Sequence, residues 1–318
     1  MPVGLNALGY ARTMEPIENA DLERLVAPAS QLYVGVSAKH GPHVTPELFA
    51  ASGGRLWCMT SAVTLKAKVL AHDDRIAFLA THDHGDVVGI GRASVIDPAR
   101  PASIAGNLTS LARSPLGAAR FVARNLDELA GAARDALAGR LGGPIPPHRV
   151  VVAIEILAIA SVENGALAGA WGWPDLATGT PRLQALDPAA AKDSDPAADA
   201  LNRADLPEAL ERLTGDGGAA LGWLTNEGHP LVLPASWIRD TCVATVDAEL
   251  WDVCGAASSA RAAITRDGWT GYGPSGKQGV LLRGHGTAAS NGGKATVALA
   301  VESVTSWDGV ETVTAKPA

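Results

Sequence analysis

The 318-residue chain has only three cysteines, Cys58, Cys242 and Cys254. An odd number, at spacings unsuited to metal ligation, excludes a disulfide framework and leaves buried free thiols as the reading. Positive charge is also scarce, with 26 Lys and Arg against 33 Asp and Glu and a formal net charge of −7. That balance excludes non-specific binding to nucleic acid or to an anionic membrane and points to a small-molecule partner. The longest apolar stretches are strand-like, and no basic segment precedes an apolar run near the N terminus as in a signal peptide, so the cytoplasm is the expected location. Spacing reveals no Ser-His-Asp or paired-carboxylate arrangement, so no catalytic residue is assigned. His82 and His84 flank Asp83 in what reads as a solvated turn, and no metal is expected.

What the chain has is a second copy of itself. Leu22-Glu23-Arg24-Leu25 returns as Leu210-Glu211-Arg212-Leu213, Gly35 to Gly41 lies over Gly222 to Gly228, and Pro46 lies over Pro234. Near the end of each copy, Val150, Val152, Ile154, Ile156 and Ile159 match Ala295, Val297, Leu299, Val301 and Val304, with the period-2 apolar spacing of half-buried strands. The first copy carries an insert that the second lacks. Ser114, Pro115 and the series Val122, Leu126, Leu129, Ala133, Leu137 and Leu141, stopped by Gly142-Gly143-Pro144, predict a helical arm that packs on a neighbouring barrel or lids a groove. Between the copies, Ala189 to Ala200 is rich in Ala, Asp and Pro and reads as an exposed linker. The expected organisation is a first domain over 15–170 with its insert at 98–143, a linker over 171–204 and a second domain over 205–318.

Within the first copy the pattern predicts a helix near 19–26, strands near 32–37, 44–51 and 55–60, a short helix over 64–70, and strands near 75–80, 87–96 and 149–162. Six strands joined by hairpin signals such as Lys39-His40-Gly41 suggest a barrel. The chemistry concentrates where a strand turns into the short helix, at Thr60-Ser61-Ala62-Val63-Thr64-Leu65-Lys66-Ala67-Lys68. Three hydroxyls and the ammonium groups of Lys66 and Lys68 could cradle a phosphate; the lysines stand two apart and point to different helix faces, and Lys66 is preferred. The corresponding stretch of copy two, near 247–254, is acidic and would repel the same group. Gly271 to Gln278 has the spacing of a nucleotide-binding loop, but Gln278 stands where the Mg²⁺-binding hydroxyl belongs and a strand follows, so it is set aside. Five of the eight tryptophans lie in copy two, where they can either wall a planar ring or fill a core.

The order and spacing of Val34 to Ser37, His43 to Pro46, Gly54 to Trp57, Thr60-Ser61 with Thr64 and Lys66, Asp74 to Ala77, and Gly91 to Ala93 with Asp97-Pro98 resemble the pyridoxamine-phosphate-oxidase-like split-barrel flavoproteins. The resemblance implies a mainly β fold of two tandem six-stranded split barrels forming an intramolecular pseudo-dimer. It implies an oxidoreductase holding one flavin, FMN first, with deazaflavin or haem as alternatives. The cofactor would be held by Thr60, Ser61, Thr64, Lys66 and Lys68, with the strand His43, Val44, Thr45 and Pro46 along the ring. In the oxidases a basic residue opens that strand; here it reads His43-Val44-Thr45-Pro46-Glu47, which departs from the vitamin-B6 oxidases. A non-catalytic binding or scaffold protein is the reading of another class.

Overall fold

The structure is a computed structural model that describes residues 12–13, 17–83, 85–97, 114–139, 149–173, 215–269, 273–309 and 311–315. The second Leu-Glu-Arg-Leu, the linker, Gly142-Gly143-Pro144, Pro98, Leu141 and His84 lie outside the described residues.

The first copy runs β1 (Arg12–Thr13), α1 (Asn19–Val26), β2 (Gln31–Ala38), β3 (Gly41–Glu47), β4 (Phe49–Ser52), β5 (Arg55–Ser61), α2 (Leu65–Leu70), β6 (Arg75–His82) and β7 (Gly85–Ile96). The arm helices α3 (Ser114–Arg124) and α4 (Leu126–Leu137) follow, then β8 (Arg149–Glu163) and β9 (Ala166–Trp171). The second copy runs β10 (Gly217–Leu224), β11 (Pro230–Ile238), β12 (Val243–Asp247), α5 (Ala248–Val253), β13 (Ser259–Trp269), β14 (Lys277–Asn291), β15 (Lys294–Asp308) and β16 (Glu311–Ala315).

In the second copy, β12-β11-β10-β13-β14-β15 is closed by pairing of β12 with β15, giving a six-stranded barrel. The first copy follows the same circuit, including the matching β5–β8 ladder. Its circuit breaks at Leu48, where β3 leaves β2 and β4 takes up pairing with β5, so that sheet is a curled half-barrel. Both copies place a β-bulge at the same position, between Ile90 and Gly91 and between Arg283 and Gly284. Each bulge glycine is required by space. A Cβ on Gly91 would stand 2.2 Å from the Glu155 carbonyl oxygen, and one on Gly284 would stand 1.8 Å from that of Ala300.

The two barrels pack face to face about a pseudo-two-fold axis. Gly35 opposes Val44 in the β2–β3 ladder as Gly222 opposes Val232 in the β10–β11 ladder. Each glycine receives the other copy's valine: a Cβ on Gly35 would meet Val232 Cγ2 at 2.5 Å, and one on Gly222 would meet Val44 Cγ2 at 2.6 Å. The exchange is repeated further out, where Arg75 Nη1 donates to the Gly228 carbonyl at 3.2 Å and Arg261 packs on Gly41. Val44, Leu79 and Ile90 of the first barrel join Trp223, Leu231 and Val232 of the second in one continuous core, while Leu22, Leu32, Phe78 and Ile154 form the first barrel's own interior. Burial of this apolar surface, roughly 25 cal/mol per Å², is what holds the copies together.

The arm buries a different face from the one its apolar spacing predicts. Val122, Leu126 and Leu137 are exposed, whereas Phe121, Asn125, Glu128 and Asp135 are buried. The helix also breaks at Asn125, whose amide donates to the carbonyls of Phe49 at 3.1 Å and Phe121 at 2.8 Å. Polar contacts therefore choose the buried face. Glu128 accepts from the Gly273 amide and Asp135 from the Ser275 amide, each at 3.0 Å, so the arm of copy one clasps a loop of copy two. Those amides belong to the segment with nucleotide-loop spacing, and their acceptors are the protein's own carboxylates.

Candidate functional site

The expected phosphate grip forms at the end of β5. Thr64 caps α2, its hydroxyl accepting from the Ala67 amide at 3.3 Å and donating to the Ser61 carbonyl at 2.8 Å. The Thr60 and Thr64 hydroxyls lie 3.3 Å apart. Ser61 Oγ is buried and has no hydrogen-bond partner. Lys66 turns inward and is 3 % exposed, whereas Lys68 faces solvent on the other side of the helix. The Lys66 ammonium is engaged by the carboxylate of Glu47, whose Oε1 also accepts from Thr45 Oγ1 at 3.3 Å. Glu47 closes β3 at the point where the first barrel breaks, so a carboxylate supplied by the break occupies the cation of the grip.

The other residues of β3 divide their roles. The Val44 side chain is committed to the interface, and its carbonyl accepts from Thr265 Oγ1 of the second barrel at 3.0 Å. Pro46 pairs with Tyr33 in the β2–β3 ladder. His43 Nδ1 lies 2.6 Å from Nη2 of Arg283, on β14 of the second barrel. A guanidinium only donates, so Nδ1 is the acceptor and the ring is neutral with its proton on Nε2. Burial, with Lys66 and Arg283 nearby, pulls the imidazole down to about 3. His43 is therefore no proton donor at neutral pH.

Thr60, Ser61, Thr64 and Lys66 thus come together with Glu47, and His43 meets Arg283 across the interface; Lys68 stands apart. Sequence reasoning did not single out Glu47 and Arg283 as site residues. Glu47 carried a signal, an acidic residue in the segment where the resemblance leads one to expect a base. Arg283 carried none, being one charge in a β-strand. Beside Glu47, a cleft of about 670 Å³ opens between the β3–β4 break and the arm, lined by Gln31, Leu48, Phe49, Arg124 and Glu128.

The second barrel repeats the scaffold without the grip. Asp247 caps α5 through a 2.9 Å bond from the Leu250 amide as Thr64 caps α2, but it is itself the last residue of β12. The ladders set Thr60 over Val246, one residue from the rough sequence match, and copy two lacks the turn that carries Thr64. Trp223 and Trp237 are fully buried, and the rings of Trp223 and Trp251 are 5.3 Å apart, so these three fill the core. Cys58 and Cys254 are buried thiols, while Cys242 is partly exposed at a positive φ of 50°, a correction to the expectation of three buried thiols. Among the described residues no group of three or more His, Cys, Asp or Glu could hold a metal ion, and no helix is long and apolar enough to cross a membrane.

No family model matches the chain, and no curated protein matches it. Several solved structures do. General Stress Protein 26 from Bacillus anthracis is 13 % identical, with a TM-score of 0.29 over 45 % of this chain and 92 % of that one. A putative pyridoxamine 5'-phosphate oxidase from Listeria innocua is 14 % identical, with a TM-score of 0.28 over 45 % of this chain and 96 % of that one. A pyridoxamine 5'-phosphate oxidase-related, FMN-binding protein from Nostoc punctiforme is 12 % identical, with a TM-score of 0.31 over 46 % and 80 %. The solved structures to which this chain is similar thus include pyridoxamine 5'-phosphate oxidase-related proteins, each matching about half of it.

Proposed function

We propose that the chain is a flavin-dependent oxidoreductase that holds one FMN in the inter-barrel groove on the first copy's side, acting on a small organic substrate. The observation that carries this reading is the donor set at the end of β5: the unpartnered buried Ser61 hydroxyl, the paired Thr60 and Thr64 hydroxyls, and the buried Lys66 ammonium. These are anion-binding groups, and Glu47 is the anion a phosphate would displace. The motif resemblance supplies the identity of the cofactor. Bound there, a flavin would provide the electron or hydride transfer. The protein's part would be to grip the phosphate through Thr60, Ser61, Thr64 and Lys66 and to keep the neutral His43 and the cationic Arg283 at the interface. Such a cofactor-binding role fits a soluble, cytoplasmic protein with its two barrels working as one unit.

Titration of the apo-protein with FMN tests the reading. One FMN per chain is expected, and Lys66→Ala should weaken binding roughly ten- to a hundredfold, the range for a charge-assisted hydrogen bond of about 1.5–3 kcal/mol. A stoichiometry of two, or full affinity in Lys66→Ala, would show the site misplaced. A visible spectrum of the purified protein separates flavin from deazaflavin and haem. The Glu47–Lys66 pair favours a second reading, a scaffold whose grip is permanently filled by its own carboxylate; a colourless protein that takes up no flavin on reconstitution would establish it.

A further inference from the structure

The pseudo-two-fold axis makes a second groove, built from the second copy's counterpart of the grip facing the first copy's sheet. Here the structure has a cavity of about 320 Å³, within the range of roughly 300–1,000 Å³ of small-molecule sites. Its second-barrel wall includes Ala235, Ser236, Asp247 and Leu250, and its first-barrel wall includes Tyr33 and Asp86. Ala235 occupies the ladder position that Glu47 occupies in the first copy, so no carboxylate folds back to fill this groove.

Its charges are unequal in availability. Asp247 is committed to capping α5, and Lys294, its neighbour in the β12–β15 register, brings one ammonium group to the same cavity, on the second-barrel wall away from the strand of Asp86. The Tyr33 hydroxyl is committed to Asp267. Asp86 is different: among the described residues it has neither a hydrogen-bond nor an ion-pair partner. Its burial pushes it up to about 6, which still leaves it ionised above neutral pH. On its other side lies a second cavity of about 450 Å³, which Asp86 also lines, together with Ser161, His82 and Glu163. Ser161 is 4 % exposed, and its Oγ has no partner. Ser161 pairs with Val87 and so faces the other side of the sheet, whereas Asp86, paired with Val162, presents its carboxylate on the wall of the first cavity beside the apolar Leu79, Val162 and Leu250.

We propose that this second groove binds a small organic ammonium compound, one per chain, with Asp86 as its counter-charge and the apolar wall taking its carbon body. The inference is independent of flavin binding in the first groove.

Isothermal titration of the full chain at pH 7.5 with benzylammonium chloride tests it, with benzyl alcohol as the uncharged isostere. The expected result is 1:1 binding of the ammonium, at least tenfold tighter than the alcohol, lost by about ten- to a hundredfold in Asp86→Asn and unchanged in Lys66→Ala. Ser236→Trp, which puts an indole on an exposed lining position, should abolish the same signal, and it keeps the test decisive if Asp86→Asn folds poorly. Equal binding of the alcohol, undiminished binding in Asp86→Asn or Ser236→Trp, or no binding of millimolar benzylammonium would overturn the proposal. Failure of FMN to bind would leave it intact, because the two sites share no residue.

Discussion

His43 Nδ1 accepts a 2.6 Å hydrogen bond from Arg283, a residue of the other barrel. The strand ladders identify their counterparts. His43 lies opposite Val36 as Leu231 lies opposite Trp223, and Arg283 lies opposite Ala263 as Ile90 lies opposite Ala77. What is apolar packing on one side of the axis is a polar bond on the other.

The pair makes stability sensitive to acid. A histidine held near 3 in the fold, against about 6.5 unfolded, contributes stability that is complete above 6.5 and drains away as pH falls from there towards 3. The full extent is on the order of 3–5 kcal/mol. Replacing both residues by their counterparts, as His43→Leu with Arg283→Ile, should flatten urea-unfolding stability between pH 4 and 7 and leave it equal or higher at pH 4. His43→Leu alone should destabilise at every pH by stranding the guanidinium.

Asp86 should act in the opposite sense. Its folded value of about 6 lies above the ordinary aspartate value of 3.8, so the native state holds its proton longer than the unfolded chain does. Stability then falls as pH rises from about 4 to 6 and stays lower above. Asp86→Asn should remove that slope and raise stability at pH 7.5 by on the order of 1–2 kcal/mol, discounting for its partial exposure. Thermal melts of both proteins across this pH range decide the matter.

Glu47→Gln should release Lys66. If the grip binds phosphate, the variant should take up inorganic phosphate or FMN about tenfold more tightly than the natural chain, since one competing charge is gone. Unchanged or weaker binding would mean that Glu47 positions Lys66 and does not compete for it.

The interface can be probed at its closest approach. Gly35→Ala places a methyl 2.5 Å from Val232 Cγ2, and the stiff valine cannot turn away without losing its rotamer. A loss of about 1–3 kcal/mol is expected, largely restored by Val232→Ala in the same chain. A double-mutant cycle with no coupling would mean that the barrels do not meet as described.

Much of the fold was legible because the sequence states it twice: a strand pattern that recurs after the same glycine turn marks the paired barrels, and Gly35 and Gly222 mark where they touch. The arm's orientation was not legible. Apolar periodicity selects Val122 and Leu126, but the helix is held by Asn125, Glu128 and Asp135 bonding to carbonyls and amides up to 145 residues away. The grip was legible in its hydroxyls and in Lys66, all within seven residues. Its occupant was not, because Glu47 reaches Lys66 only through the end of β3 at the broken strand. The cavity at Asp86 left no trace in sequence, since a lone aspartate at a strand start looks like any solvated edge residue.

The unequal partners on either side of the axis also bear on inheritance. In a symmetric dimer one stretch of gene encodes both grooves, so a charge written into one is written into the other. Here Glu47 and Ala235, or His43 and Leu231, are separate codons at matching places. Each groove is therefore free to drift towards its own ligand while the other keeps its chemistry.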